Sequence, residues 1–488
     1  MKKKQNLVLK ISGLLFSMLL MGCSLQTKKE SLNTTENEAI ENYVTHIQKR
    51  HDIPGISLAI LKGDSILYRK NFGRANIEHN VPIKNESIFR VYSLTKPIIA
   101  VAIFQLIEKG KLSLEDKVGK YIEGIPESWK SIELEYLLTH SSGLPDMSSF
   151  PEIEKLTEGE VKEAVFKREI EFDKGEKYAY NQSNFWLLQQ IIEKVSGEKL
   201  EDFILKNQFE NERENVFFSS NSKDIVFNRV TPYFPFRTGK IQIDHSSLKG
   251  RYMLAANGLN ITIDEFIKWN NRLKKNQLLK KETKEEMWKE FSYKKSTKKF
   301  AYSWDKRVLN NHKSYGFSGS LVTAYRVFPD DNLSILFFAN GLGNYFNIDN
   351  IINHIVSLLE EDIVDINNLI YEEWMQSILT DEEVDIKKKL EITEKNYPAI
   401  NLEGIINSVG YQLINQNKLE KAIYVFKLNT KEYSNSANTF DSLAEAYFVN
   451  KENNKAKKNY EKAIALGGTR GNAKKMLQKI NEIKRSNL

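Results

Sequence analysis

A serine and a lysine three positions apart could together perform nucleophilic catalysis. The sequence contains Ser93 and Lys96 in the stretch SLTK, directly before a long apolar run. A serine hydroxyl becomes a nucleophile when a nearby base accepts its proton, and a buried lysine with a lowered pKa can be that base. The same spacing begins at six other serines, so spacing alone does not identify a nucleophile: Ser196, Ser220, Ser246, Ser292, Ser296 and Ser303.

The element that follows Ser93 distinguishes it from the other six serines. The stretch PIIAVAIFQLIEKG is apolar on nearly every face and ends at Gly110, which predicts a buried helix. Pro97 suits the first turn of that helix, where its missing N–H group costs no hydrogen bond. Ser93 would then lie at the positive end of the helix dipole, where a developing oxyanion is stabilised. Taken alone, Ser93 would be better interpreted as a helix cap than as a nucleophile.

Several further stretches between residues 37 and 360 accompany SLTK in a fixed order. Among them are PGISLAILKGDSILYRKNFG, YLLTHSSGLPD, YNQSNFWLLQQIIEKVSG, LAANGLNITIDEFIKWNNRL and SYGFSGSLVTAYRVFPDDNLSILFFANG. Together they resemble the serine β-lactamase and penicillin-binding-protein-like family, within its class C β-lactamase, D-aminopeptidase and esterase branch. The resemblance implies an α/β (α+β) fold, in which an antiparallel sheet flanked by helices lies beside a helical subdomain with the nucleophile between them.

The resemblance also implies roles for the residues around Ser93. Ser93 would be the acylated nucleophile and Lys96 its activating partner. Tyr180 matches the tyrosine of the family's Tyr-x-Asn motif, with Tyr178 as a neighbouring alternative, and Gln182 replaces the asparagine. We expect the Lys96 ammonium to stabilise a Tyr180 phenolate, which would carry the serine proton to the leaving group.

The third family motif, Lys-Thr-Gly or His-x-Gly, falls on Phe317, Ser318 and Gly319. Gly319 on an edge strand would let the substrate approach closely. The backbone N–H groups of Ser93 and Ser320 would form the oxyanion hole. Phe317 is the main departure from the family pattern, because its side chain has neither a charge nor a hydrogen-bond donor.

By this resemblance we expect a serine hydrolase that acts through an acyl-enzyme. We expect a small ester, amide or D-amino-acid peptide as substrate, and esterase or peptidase activity rather than efficient β-lactamase activity. The departures at Gln182 and Phe317 leave an alternative open, a catalytically degenerate scaffold or binding lipoprotein. No cofactor is expected, and the seven histidines show no metal-binding spacing, so no metal is proposed. His140 is interpreted as structural.

The N-terminus predicts export and lipid attachment. Residues 1–22 combine lysines with a short apolar stretch typical of a signal peptide, and Leu20-Met21-Gly22-Cys23 resembles the lipobox of bacterial lipoproteins. Cys23 would carry the lipid and residues 23–36 would form a flexible tether, which places the protein on the membrane, facing the periplasm or the cell exterior. The net charge of +7 includes four lysines ahead of Cys23, so the mature chain is near neutral and nucleic acid is not an expected partner.

The C-terminal part predicts a separate helical module after the hydrolase domain of residues 37–360. Residues 361–400 are acidic and polar, which indicates a linker or bridging helices. Within residues 401–488, Ala422 and Phe426 recur 34 positions later as Ala456 and Tyr460, which resembles tetratricopeptide repeats followed by a capping helix. A generic helical hairpin is the alternative. Two such repeats need neighbours, so we expect the module to contact the first domain or a partner protein.

Overall fold

The computed structural model describes residues 32–150, 152–235, 241–343, 347–380, 386–467 and 472–486 of the 488-residue chain. Cys23 and the predicted signal peptide lie outside these residues. In the part that is described, no helix is both long enough and apolar enough to cross a bilayer.

The strands and helices are numbered here in chain order. The strands are β1 (Gly55–Lys62), β2 (Ser65–Asn76), β3 (Val81–Pro82), β4 (Ile88–Arg90), β5 (Val216–Phe218), β6 (Tyr233–Pro235), β7 (Ile241–Ile243), β8 (Leu259–Thr262), β9 (Asp305–Leu309), β10 (His312–Gly319), β11 (Thr323–Phe328) and β12 (Leu333–Ala339). The helices are α1 (Thr34–Arg50), α2 (Thr95–Glu108), α3 (Glu127–Lys130), α4 (Leu134–Leu138), α5 (Glu158–Phe166), α6 (Ser183–Ser196), α7 (Leu200–Gln208), α8 (Leu254–Asn257), α9 (Ile263–Lys274), α10 (Lys281–Met287), α11 (Ile348–Ser357), α12 (Ile366–Thr380), α13 (Ile386–Asn396), α14 (Leu402–Asn415), α15 (Leu419–Glu432), α16 (Ala437–Val449), α17 (Asn453–Ala465) and α18 (Asn472–Ser486).

A seven-stranded antiparallel sheet with the order β3-β2-β1-β12-β11-β10-β9 forms the centre of the hydrolase domain. Strands β1 and β2 form a hairpin, and Gly63 adopts a positive φ of 60° in its turn. Because side chains alternate along a strand, β1 directs Ala59 and Leu61 into one core and Leu58 and Ile60 into another. The predicted antiparallel sheet flanked by helices is confirmed.

The two faces of the sheet are covered by different helices. The first core contains α2 and the helical subdomain, and every residue of α2 from Thr95 to Leu106 is buried. The second core contains α1 and α11. A smaller sheet with the order β4-β8-β5 lies beside them, and β4 leads directly into the segment that carries Ser93. The buried helix predicted after Ser93 is therefore present.

The folded domain begins earlier than the sequence predicted. Helix α1 starts at Thr34, inside the expected tether, and Leu32 is buried in the second core. Asn33 and Glu36 form a capping box, in which each side chain accepts a hydrogen bond from the other residue's backbone N–H. This motif satisfies the free N–H groups of the first turn and explains why the helix begins there.

Helices α12 to α18 contribute to a third hydrophobic core, which contains residues from Ile370 to Ile480. The predicted linker helices α12 and α13 therefore share a core with α14–α17, which form two helical hairpins. The module contacts the hydrolase domain through a buried ion pair, in which the Arg50 guanidinium lies 2.6 Å from the Glu372 carboxylate. The assignment as tetratricopeptide repeats stays a prediction.

Candidate active site

Ser93 lies in a short 3₁₀ turn between β4 and α2. Tyr92 adopts a positive φ of 49°, which is unusual for a bulky residue. Thr95 stabilises this turn, because its hydroxyl donates to the Tyr92 carbonyl at 2.6 Å and accepts from the Leu259 N–H at 3.1 Å. The nucleophile candidate is thus fixed by contacts from both α2 and β8.

Lys96 is fully buried and lies one helical turn from Ser93. Its Nζ is 3.3 Å from the Ser93 Oγ, 2.9 Å from the Gln182 Oε1 and 2.8 Å from the Ala256 carbonyl oxygen. Burial lowers the pKa of Lys96 well below its usual value, although the Asp146 carboxylate partly opposes this effect. The surroundings therefore favour the uncharged amine.

The hydrogen-bond geometry around Lys96 is compatible with an uncharged amine as well as with an ammonium. A neutral lysine has two N–H groups and one lone pair. The two N–H groups can be donated to the Gln182 and Ala256 oxygens, which are the two shorter contacts. The lone pair is then available to accept the hydroxyl proton of Ser93, which is what a general base must do.

Tyr180 is the third residue that contacts this centre, because its hydroxyl donates a hydrogen bond to the Ser93 Oγ at 2.6 Å. Although 39% of Tyr180 is exposed along the cleft, desolvation raises the pKa of its phenol to about 12, against smaller opposite effects of the hydrogen bonds with Ser93 and Gln182. This raised pKa disfavours the expected phenolate, and the lowered pKa of Lys96 weakens the cation that was expected to stabilise it. Tyr178, the sequence alternative, contacts Phe300 and His140 with its ring.

The structure also brings together residues to which the sequence assigned no role. The Asp146 carboxylate accepts from the Gln182 backbone N–H at 2.9 Å and fixes the start of α6. The Ala256 carbonyl comes from the end of α8, 160 residues after Lys96. Asp146 ends the YLLTHSSGLPD stretch, so the family resemblance of that stretch could have indicated it. The Ala256 contact is made by a backbone carbonyl, which no side-chain pattern in the sequence can indicate.

His140 is fully buried and its imidazole Nδ1 accepts from the Asn181 N–H at 3.0 Å. Its ring lies 4.6 Å from the Tyr180 ring, centroid to centroid, and burial lowers the pKa of His140 well below its usual value. A neutral histidine that packs against Tyr180 and orients Asn181 agrees with the structural role expected for it.

The third motif lies beside Tyr180, with one correction. The Phe317 and Tyr180 rings stack at 6.3 Å between centroids. Strand β10 is not an edge strand, because it lies between β11 and β9, although β9 pairs only with residues 312–316. A Cβ at Gly319 would come within 2.0 Å of the Val91 carbonyl oxygen, so this glycine admits the chain's own backbone rather than substrate.

Ser93, Tyr180, Gln182, Phe317, Ser318, Ser320 and Leu321 line one cleft of about 480 Å³. Its other wall carries three cations and two carboxylates. Arg307 contacts the carboxylates of Asp305 and Asp349 at 2.6 Å each, and Arg326 contacts them at 3.1 and 3.6 Å. Lys298 pairs with Asp305. Burial raises the pKa of Asp305, but Arg326, Arg307 and Lys298 outweigh this effect and lower it to about 2. Each of the three cations therefore has a carboxylate partner within the cleft.

The profile of the family described as Beta-lactamase matches residues 40–356, about two thirds of the chain. The chain belongs to this beta-lactamase family. One curated relative is penicillin-binding protein 4* of Bacillus subtilis (strain 168), 33% identical over 168 residues, which cover 33% of this chain and 37% of the relative. The match thus spans little more than a third of that protein.

Two solved structures of other proteins have a fold similar to that of this beta-lactamase family member. The D-amino acid amidase of Ochrobactrum anthropi SV3, complexed with D-phenylalanine, is 17% identical with a TM-score of 0.58, covering 67% of this chain and 99% of the amidase. EstCE1, a hydrolase with promiscuous acyltransferase activity, is 17% identical with a TM-score of 0.54, covering 63% and 94% of the two chains. At these identities the likeness concerns the fold.

Proposed function

We propose that this protein is a serine hydrolase that forms an acyl-enzyme on Ser93 and acts on uncharged esters or amides. The observation that carries the proposal is that the Ser93 Oγ lies within hydrogen-bond distance of both Lys96 and Tyr180, and burial, which lowers the pKa of Lys96, supports it. The amidase and hydrolase with the same fold support the class of reaction.

The contacts of Ser93 with Lys96 and with Tyr180 support a balanced proton path. The Ser93 Oγ bonds to the substrate's carbonyl carbon while its proton passes to the Lys96 amine. The bond to the leaving group then breaks, and the leaving oxygen or nitrogen takes a proton from Tyr180, which recovers one from Lys96. Water attacks the acyl-enzyme by the same path in reverse order and regenerates Ser93. The backbone N–H groups of Ser93 and Ser320 would stabilise the negatively charged oxygen.

The preference for uncharged substrates follows from the cleft. Phe317 occupies the motif position at which the family has lysine or histidine. Its ring is 92% buried and offers only apolar surface. Each cation on the opposite wall is paired with Asp305 or Asp349, so none is a free partner for a substrate carboxylate, although three cations and two carboxylates leave this wall with a net charge of +1. A substrate carboxylate in this cleft would lose water without gaining a free cation.

A fluorophosphonate probe tests the proposed chemistry directly. Purified protein should be labelled, and Ser93→Ala should abolish labelling. Ser196→Ala is the matched control, because this serine also precedes a lysine by three positions but lies at the end of α6. A protein that is folded and unlabelled would instead support the degenerate scaffold.

We also propose that the enzyme is a membrane-anchored lipoprotein of the cell envelope, facing the periplasm or the exterior. The lipobox-like stretch ending at Cys23 supports this. Cys23→Ala should release the protein from the membrane fraction. Its retention there would contradict a lipid anchor as the sole attachment.

A further inference from the structure

The turn between β10 and β11 combines backbone strain with an exposed apolar side chain. The Val322 N–H donates to the Gly319 carbonyl at 2.9 Å and closes a β-turn around Ser320 and Leu321. Both central residues have positive φ, 46° and 64°. Turns of this kind favour glycine, asparagine and aspartate, because other side chains are strained there. Leucine is therefore an unfavourable choice for the backbone.

Packing inside the protein does not explain the leucine. Leu321 is 36% exposed and contributes to none of the three hydrophobic cores formed by the described residues. Its neighbour Val322 is fully buried in the second core. Leu321 instead lines the same cleft as Ser93 and Tyr180. A strained residue that exposes an apolar side chain into a reactive cleft points to substrate contact.

The position of Tyr180 indicates which part of a substrate Leu321 would contact. Tyr180 lies against Ser93 on the side where the leaving group must collect a proton, and Phe317 stacks on that same ring. Leu321 follows the oxyanion donor Ser320, four positions beyond Phe317. With the leaving group assigned to Tyr180, the acyl chain of a substrate held by Ser93 and Ser320 is left to the remainder of the cleft, which Leu321 also lines.

We propose that Leu321 forms the wall of an acyl-chain site and selects esters with apolar acyl groups of several carbons. The proposal rests on the proposed hydrolase function and names the substrate class of that site. The backbone strain at positions 320 and 321 is retained because it presents the leucine side chain to the acyl group.

Leu321→Asn separates this role from an ordinary turn residue. Asparagine adopts positive φ with little strain but presents an amide to the cleft. The experiment measures kcat/KM for p-nitrophenyl acetate and p-nitrophenyl hexanoate, together with Tm. We expect the hexanoate-to-acetate ratio to fall roughly tenfold, while Tm stays equal or rises. Lys451→Asn is the matched control, since Lys451 has a φ of 61° in a turn of the helical module and should change Tm without changing the ratio.

Two results would overturn the assignment of Leu321. One is that the wild type is active and Leu321→Asn folds, but the hexanoate-to-acetate ratio of kcat/KM is the same in both proteins. The other is a large loss of Tm in Leu321→Asn and in Leu321→Gly, which would make the leucine a packing residue. If the wild type hydrolyses neither ester, the proposed function fails and this inference fails with it.

Discussion

Lys96 is buried next to Ser93 and makes its shortest contacts with uncharged oxygen atoms of Gln182 and Ala256. An ammonium in this place would lose hydration without a carboxylate in direct contact among the described residues. The phenol of Tyr180 is likewise held protonated by desolvation. One residue thus starts as a base and the other as an acid, which matches the two proton transfers that acyl transfer requires.

The pH dependence of turnover follows from the lowered pKa of Lys96. The uncharged amine is the active form, so kcat/KM should fall as pH drops through the lowered pKa and should be level above it. The measurement is kcat/KM for p-nitrophenyl acetate from about pH 5 to about pH 9, corrected for spontaneous hydrolysis. A tenfold rise per pH unit that continues to the top of this range would mean that Lys96 has an ordinary pKa.

A cation at position 317 should change substrate preference. Phe317→Lys places an ammonium beside Tyr180, where a substrate carboxylate can pair with it. We expect the ratio of kcat/KM for an ester with a carboxylate in its leaving group to that for p-nitrophenyl acetate to rise roughly tenfold. Phe317→Leu is the control and should leave the ratio unchanged. Efficient hydrolysis of benzylpenicillin by the wild type would show that one of the paired cations already serves this role.

At the residue scale, the sequence predicted the members of the site but not their charge states. Spacing and family resemblance brought Ser93, Lys96 and Tyr180 together, and the structure places all three in contact. Desolvation of the phenol raises the pKa of Tyr180 and burial lowers the pKa of Lys96, and both effects come from tertiary packing. Local sequence carries no signal for either.

At the scale of elements, β10 and the segment before α2 are positioned by direct backbone contact. A Cβ at Gly319 would approach the Val91 carbonyl oxygen to 2.0 Å, and the Thr323 hydroxyl donates to that same oxygen at 2.9 Å. Val91 precedes Ser93 by two residues. The distance between β10 and the nucleophile is therefore set by the absence of a side chain at position 319.

Gly319→Ala should therefore displace the nucleophile as well as destabilise the sheet. Val91 would have to move, and a shift of about 1 Å at Ser93 costs roughly a hundredfold in kcat/KM. The control is Gly159→Ala in α5, where a Cβ meets no atom within 4 Å and should stabilise the protein by about 0.5–1 kcal/mol. Wild-type turnover by Gly319→Ala would show that β10 does not position Ser93.

A few elements of the hydrolase domain follow from local pattern. The β1–β2 hairpin and α2 were predictable because alternating or continuous apolar runs end at glycine turns. The start of α1 was missed because the surrounding residues are polar, although Asn33 and Glu36 have capping-box spacing. The sharing of one core by α12, α13 and the hairpins was not predictable, because it depends on contacts between distant segments.

At the scale of the whole molecule, the helical module is joined to the hydrolase domain but contributes no residue to the cleft described here. The residues lining the cleft extend from Ser93 to Asp349, all before α12. The Arg50–Glu372 pair connects α1 with α12, and both side chains are at least 91% buried. The residues that line the cleft are therefore different from those that attach the helical module.

Glu372→Ala should destabilise the protein without affecting turnover. Removing the carboxylate leaves Arg50 buried without its partner, which costs about 3–5 kcal/mol in the free energy of unfolding. Chemical denaturation measures this change, and kcat/KM for p-nitrophenyl acetate should stay at the wild-type value. Arg50→Met combined with Glu372→Met should restore much of the stability. Loss of turnover in folded Glu372→Ala would mean that the module shapes the active site.

The most direct test of the account is the mass of the protein quenched during turnover of p-nitrophenyl acetate. Our account predicts an increase equal to one acetyl group, located on the peptide that contains Ser93. The increase should be absent in Ser93→Ala and strongly reduced in Lys96→Ala. Turnover without acetylation, or acetylation of a different residue, would contradict the assignment of Ser93 as the nucleophile.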